Sequence, residues 1–221
     1  EPKRGTNIEK RSLFKTSFEF PSMKIPNGVP FSGEIKNQYQ EGPAIMSQDS
    51  KNIYFTRSTS VDVDDEALYL NIFKVTEENV NNPDSVLGLS INDPHYSVMH
   101  PTITENGSRM YFASDMPGGY GGLDLYYCEI YGLYKQFFLS DTTATRELIR
   151  LSRPVNLGNR INTEGNEVFP FHLDDKTLFF ASDGRIGFGG LDIYMVNDYL
   201  DTNSTDVRNM GIPFNSPKDD F

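Results

Sequence analysis

The chain has 221 residues and a mass of 25.0 kDa, which suits one all-β domain or two small domains with a real core. Its 20 basic and 31 acidic residues give a net charge of −11, which is poorly matched to nucleic acid or to an anionic membrane surface. It has no apolar run of about 18 residues to span a bilayer, and its single cysteine, Cys128, excludes an intramolecular disulfide and a cysteine-based zinc site. Residues 1–6 lack a signal-peptide layout, so we expect a soluble segment that is either mature or internal to a longer chain.

Short runs rich in Tyr, Phe, Val and Ile alternate with clusters of Gly, Pro, Asn and Asp along the whole chain. This punctuation predicts many short strands. Residues 1–40, with a strand-like run at 17–20, are interpreted as an N-terminal segment that could contain the end of a preceding sheet. Residues 41–221 are interpreted as a series of repeats.

The repeat is strongest in its second and third copies. Phe112 and Phe180 are 68 residues apart, and so are Asp124 and Asp192. An earlier, less similar copy carries Asn71 at the position of the aspartates. Such self-similarity at a fixed period is the signature of repeat architectures. We predict cores at about 41–75, 98–130 and 166–197, with a next copy that begins near 209.

Each copy predicts four antiparallel strands. A first strand around a proline leads through a tight turn, such as Asn106-Gly107, to a second strand, and a Gly-rich loop leads on to a third strand. Residues 154–157 predict an outer fourth strand. Residues 110–113 and 178–181 are apolar at consecutive positions, which predicts burial on both faces of a sheet, as in stacked blades.

The predicted fold class is therefore all-β, a β-propeller or partial propeller of four-stranded antiparallel blades. A closed propeller needs at least about four blades. Three copies and the beginning of another are recognisable, so we expect that these residues are part of a longer protein. Residues 131–150 are interpreted as a loose insertion, in which 145–151 could be helical.

The repeated glycines and acidic residues are the candidate functional residues. A phosphate-binding loop would need a following helix and a basic residue, and both are missing here. The glycines are therefore interpreted as turn residues, and each repeated aspartate is expected to accept backbone N–H bonds from its own turn, with Asn71 able to substitute for it. These structural residues are Gly121, Gly122, Asp124, Gly189, Gly190, Asp192 and Asn71.

No catalytic, cofactor-binding or metal-binding residue is assigned. Asp115 and Asp183 are given the same structural interpretation, and residues 62–66 depart from a calcium loop at its glycine and glutamate positions. His95, His100 and His172 lack metal-ligand spacing, and no Gly-x-Ser-x-Gly motif accompanies them. Cys128 is expected to be a buried strand residue.

Several long strings also carry a resemblance to a known family. The chain resembles the WD-like, TolB-type β-propeller of the OmpA-family lipoproteins of Bacteroidetes, closest to the PorE type of the type IX secretion and gliding apparatus. The match runs from about residue 30 to residue 221. The strings are Tyr96-Ser97-Val98-Met99-His100-Pro101, the run from Phe112 to Tyr126, Asn156-Leu157-Gly158, Ile161-Asn162-Thr163-Glu164-Gly165, and Phe180-Ala181-Ser182-Asp183-Gly184.

The resemblance implies a periplasmic, outer-membrane-associated protein that links secretion machinery to peptidoglycan. Its partners would be other envelope or secretion-system proteins, without nucleic acid or cofactor, and membrane association would come only through partners or domains outside these residues. The first copy lacks the Gly-Gly-x-Asp string of the family, and the insertion at 131–150 is longer than the family's short turn. Two alternatives stay open: a glycan-binding or hydrolytic propeller with chemistry at its central channel, and an accessory domain of a serine peptidase.

Overall fold

The computed structural model of the protein describes residues 14–15, 29–30, 41–58, 69–80, 85–138, 141–174, 176–199 and 206–221. The described chain contains three antiparallel sheets, a separate pair of two-residue strands and a short 3₁₀ helix at Glu77–Asn79. The all-β prediction is therefore confirmed. The strand-like run at 17–20 and the acidic loop at 62–66 lie outside the described residues.

The three sheets follow one another along the chain. Sheet 1 contains β3 (Glu41–Met46), β4 (Asn52–Ser58), β5 (Leu70–Thr76) and β6 (Leu87–Gly88). Sheet 2 contains β7 (Val98–Ile103), β8 (Arg109–Ser114), β9 (Asp124–Phe138), β10 (Asp141–Leu151) and β11 (Val155–Asn156), with both β10 and β11 paired to β9. Sheet 3 contains β12 (Glu167–His172), β13 (Thr177–Ser182), β14 (Asp192–Asn197) and β15 (Val207–Asn209). The remaining pair is β1 (Phe14–Lys15) with β2 (Val29–Pro30).

The strands pair in the same pattern within each of the three sheets. In each sheet the first strand carries a bulge opposite the second strand, between Glu41 and Ala44, between Met99 and Thr102, and between Val168 and Phe171. The bulges of β7 and β12 hold His100 and Phe169 at positive φ, 55° and 50°. The third strand then pairs with the second strand without a shift. Copies that are matched in sequence thus have matched backbone geometry.

Sheet 2 is buried on both faces. Met110 and Phe112 pack with Tyr54 and Ile72 of sheet 1, whereas Tyr111 and Ala113 pack against sheet 3. All four of these β8 side chains are completely buried, which confirms the two-sided burial predicted for residues 110–113. Contacts also join β3 to β7 and β7 to β12, so the first strands of the three sheets lie side by side.

The interpretation of residues 131–150 as a loose insertion with a helical stretch at 145–151 is wrong. Residues 131–138 belong to β9 and residues 141–150 belong to β10, and the two strands pair antiparallel from Asp141 opposite Phe138 to Leu151 opposite Ile130. β8 pairs with β9 only as far as Glu129, so the hairpin extends beyond the sheet. The continuing backbone of β9 offers β10 hydrogen-bonding partners, with irregularities between Asp141 and Thr145 and between Ile149 and Leu151. β-Branched residues such as Thr142, Thr143 and Ile149 also fit a strand better than a helix.

The predicted cores 41–75, 98–130 and 166–197 lie within sheets 1, 2 and 3. Residues 207–209, where the next copy was predicted to begin, form β15 and complete sheet 3. Cys128 lies on β9, completely buried, and burial raises the pKa of its thiol to about 12. In the described part of the chain, no helix has the length and apolar character needed to cross a bilayer.

Candidate functional site: the repeated clamp between sheets

Three connections carry repeated polar side chains. We call them return segments: residues 92–98, 162–167 and 215–220. Each runs from the fourth strand of one sheet back along that sheet's third strand, and the first two continue into the first strand of the next sheet. The backbone of the second return segment pairs with the Gly-rich loop of sheet 2, since Gly122 N donates to Gly165 O at 2.8 Å and Glu167 N donates to Leu123 O at 2.6 Å.

An asparagine side chain fixes the start of every return segment to the third strand beside it. Asn162 Oδ1 accepts the backbone N–H of Leu125 at 2.8 Å, and Asn162 Nδ2 donates to Leu125 O at 3.0 Å. The side-chain amide therefore acts as an extra strand residue, with one acceptor and one donor. The same two bonds join three pairs of residues, which together we call the clamp: Asn92 with Ile72, Asn162 with Leu125 and Asn215 with Ile193.

The repeated aspartates hold the Gly-rich loops. Asp124 is almost fully buried and accepts the backbone N–H groups of Tyr120 at 2.6 Å and Gly121 at 3.2 Å, together with Asn156 Nδ2 at 2.8 Å. Asp192 accepts the N–H groups of Phe188 and Gly189 in the same way. These carboxylates compensate backbone donors that the turn would otherwise leave unpaired. The loop before Asn71 lies outside the described residues, so the substitution expected of Asn71 stays a prediction.

The repeated glycines lie where a return segment touches the loop. A Cβ on Gly121 would meet the backbone oxygens of Thr163 and Gly165 within 3 Å, and one on Gly189 would meet those of Lys218 and Ser216. Gly122 and Gly190 would collide with the side chains of Asn166 and Asp219. These glycines therefore permit close approach of two backbones.

The acidic residues at the ends of the second strands bind the next part of the return segment. Asp115 accepts the N–H of Ser97 at 2.6 Å, and Asp183 accepts the backbone N–H and the side-chain amide of Asn166 at 2.6 and 2.8 Å. Both are thus engaged with backbone, as the structural interpretation expects.

The role of Glu167 was not predicted from the sequence. It is completely buried, and its carboxylate accepts Thr163 N at 2.8 Å, Thr163 Oγ1 at 2.7 Å and Ser182 Oγ at 2.6 Å. A signal existed, because Asp220 follows Asn215 by the same five residues and binds Ser216 in the same way. The return segment is therefore fixed at both of its ends by side chains.

The three histidines lie in unlike places. His95 is exposed and bonds Asp93 at 2.9 Å. His172 Nε2 lies 2.8 Å from Tyr199 Oη, which is 2.8 Å from Tyr111 Oη, in a buried chain between sheets 2 and 3. Within the described ranges, no group of three or more His, Cys, Asp or Glu side chains could hold a metal ion.

His100 is the third, at the bulge of β7. Its ring stacks on that of Phe169 with centroids 3.8 Å apart, and its Nδ1 accepts the Phe169 N–H at 3.4 Å. Burial lowers the pKa of His100 from 6.5 to about 4. Between pH 6.5 and pH 4, His100 therefore binds a proton in the unfolded chain but not in the folded chain. The free energy of unfolding is highest above pH 6.5 and decreases as the pH falls towards 4.

We expect wild type to lose about 2 kcal/mol more stability than His100→Phe between pH 7 and pH 4.5. The variant is a matched control, because Phe169 occupies the equivalent bulge at a similar φ. Urea unfolding of both proteins at several pH values measures the difference. Parallel pH profiles for the two proteins would contradict the buried, neutral state of His100.

Comparison with known proteins gives structural likeness alone. No protein-family model matches the chain, and the search of curated proteins finds no match. Among solved structures, the chain is similar to a puromycin-hydrolyzing peptidase of Mycobacterium tuberculosis, at 13% identity and a TM-score of 0.48, and to the tricorn protease, at 10% and 0.49. Each alignment covers 82% of this chain but only 25% and 19%, respectively, of the other protein.

Proposed function

We propose that this chain is a sector of a β-propeller that serves as a non-catalytic protein-interaction scaffold. Three stacked sheets with adjacent first strands support the propeller arrangement. The repeated acidic and amide side chains support a structural role, since Asp124, Asn162 and Glu167 are engaged with neighbouring backbone and hydroxyl groups. A site that performs chemistry is usually built once, whereas these contacts recur from sheet to sheet.

The observation that carries the interaction role is the β9–β10 hairpin. In sheets 1 and 3 the third strand ends at Thr76 and Asn197, whereas β9 continues to Phe138 and is paired there with β10 alone. Among the described strands β10 has no neighbour on its other side, so its backbone edge is open to a partner strand. At the base of the hairpin, Arg150 lies over the ring of Tyr131, 5.7 Å from its centroid. An excursion from a regular scaffold is where binding usually concentrates.

The partner class follows from the family resemblance in the sequence. We propose a periplasmic, outer-membrane-associated setting in which the partners are envelope or secretion-system proteins of the type IX kind. Any attachment to the membrane or to peptidoglycan would come through partners or other domains.

Deletion of the hairpin tests this function. We expect that replacing residues 134–148 by an Asn-Gly turn, which keeps the buried Ile149 opposite Leu133, preserves the far-UV circular dichroism of the sheets and abolishes capture of type IX secretion components from solubilised envelopes. The matched control is the intact chain, which should capture them. Equal capture by both proteins would contradict the role of the hairpin, and capture of no envelope component would contradict the scaffold. Oligosaccharide binding or hydrolysis by the intact chain would favour the channel-chemistry alternative.

A further inference from the structure

Sheet 3 has an open apolar face on the side away from sheet 2. Its exposed side chains include Phe171, Leu173, Phe214 and Phe221, which are 52%, 57%, 56% and 66% exposed. Together with Phe179, they line a groove of about 360 Å³. Contiguous exposed apolar surface of this kind marks a binding surface.

The equivalent face of sheet 2 is buried. Thr102 and Thr104 occupy the positions of Phe171 and Leu173, one repeat earlier, and are only 3% and 5% exposed. Ile161, which precedes Asn162 as Phe214 precedes Asn215, is 1% exposed. Sheet 3 covers this face of sheet 2. The equivalent positions on sheet 3 are exposed, and a further sheet packed in the same way would bury them. The open face is also the more apolar of the two, since the threonines are replaced by Phe and Leu.

A stack of rings leads from the buried interface to the open face. The Phe169 ring lies on His100 at 3.8 Å on one side and on Phe221 at 4.5 Å on the other. His100 and Phe169 are equivalent bulge residues of neighbouring sheets. The third ring of the stack therefore occupies the place that the bulge residue of a following sheet would take.

The third return segment already follows the path into a following sheet. Asn215 repeats the bonds of Asn162, Asp219 accepts the N–H of Leu191 as Asn166 accepts that of Leu123, and Asp220 N donates to Leu191 O. β3 and β12 each begin with a glutamate whose carboxylate accepts a hydrogen bond from a side chain near the end of the second strand of its sheet. Arg57 donates to Glu41 in sheet 1, and Ser182 donates to Glu167 in sheet 3. Asp220 stands at that first position.

We propose that the open face of sheet 3 binds a further sheet of the same repeat. This inference rests on the proposed propeller arrangement. The incoming sheet would place an aromatic or histidine ring on Phe169 in place of the Phe221 ring. It would also place apolar side chains, equivalent to Leu178 and Phe180, in the groove and a Ser or Arg donor against Asp220. It would bury Phe171, Leu173 and Phe214 as sheet 3 buries Thr102, Thr104 and Ile161.

An in-register extension of the full chain tests this inference. Val168 and Phe221 are equivalent, so appending a second copy of residues 169–221 after Phe221 supplies a further repeat. We expect the extended chain to be monomeric, to melt roughly 5 °C or more above the native chain, and to lose most of the fluorescence of an apolar dye that binds the native chain. Phe214→Asp should remove this gain in the extended chain and leave the melting temperature of the native chain unchanged.

Val155→Asp is the matched control, because Val155 is 44% exposed on β11, away from the open face, and its substitution should be neutral in both chains. If Phe214→Asp prevents folding of the extended chain, Phe214→Ser should still halve the gain. An unchanged melting temperature on extension would overturn the proposal. So would a dimer of the native chain that Phe214→Asp dissociates, since the occupant would then be a second copy. Hairpin deletion does not touch this face, so failure here and failure of the scaffold function are distinguishable.

Discussion

Asn162→Ala is expected to lower the free energy of unfolding by about 3 kcal/mol. The substitution removes three hydrogen bonds, two to the backbone of Leu125 and one at 2.8 Å to Asn156 Oδ1. Leu125 O keeps the N–H of Leu157 at 3.0 Å, whereas Leu125 N is left buried without a partner. An unpaired buried donor costs more than the net value of the bond that it made.

Urea unfolding followed by circular dichroism measures this effect. Asn159→Ala is the matched control, because Asn159 is exposed in the same connection and its substitution should change stability by no more than about 0.5 kcal/mol. Asn215→Ala should act in the same direction as Asn162→Ala, since it breaks the same contact in sheet 3. Equal stabilities of Asn162→Ala and Asn159→Ala would contradict the clamp.

Gly121→Ala is expected to destabilise the protein by about 3 kcal/mol through overpacking. The new methyl would lie within 3 Å of the backbone of residues 163–165, which is itself fixed by Glu167 and by the bond from Gly122 N to Gly165 O. No flexible side chain can move aside to relieve the collision. The return segment must therefore separate from the loop, and the backbone bonds between them lengthen.

Gly88→Ala is the control for this substitution. A Cβ there would meet Asn92 Nδ2 at 3.4 Å and the Phe73 ring at 3.6 Å, which are ordinary contacts, so we expect a change within about 0.5 kcal/mol. Thermal and urea unfolding of the two variants give the comparison. A Gly121→Ala protein as stable as Gly88→Ala would show that the loop and the return segment do not approach closely.

The strand order and the two-sided burial could be predicted because they follow from local pattern. Residues 110–113 are apolar at four successive positions, and only a strand covered on both faces buries all of them. The fixed spacing of 68 residues then carries the same assignment to 178–181. There the pattern predicts more burial than is found, since Phe179 is only partly buried at the open face of sheet 3.

The clamp itself could not be predicted from pattern. Asn162 recurs with Asn215 and Asn92, but its partner is a backbone group 37 residues away, and a repeated side chain does not identify the atoms that it binds. Glu167 was overlooked for a related reason: it is replaced by Asp220 in one copy and has no acidic counterpart at Val98. The hairpin was misjudged because pairing with β9 decides the conformation of β10, and this pairing lies outside local propensity.

The central claim is that the duplicated strings perform one architectural task in each copy. Amide hydrogen exchange at Leu125 and Ile193, followed by NMR in wild type and in Asn162→Ala, tests it most directly. The account predicts slow exchange at both amides in wild type and, in the variant, a larger acceleration at Leu125 than at Ile193, because Ile193 responds only to the lower global stability. Fast exchange at both amides in wild type, or no acceleration at Leu125 in the variant, would contradict it.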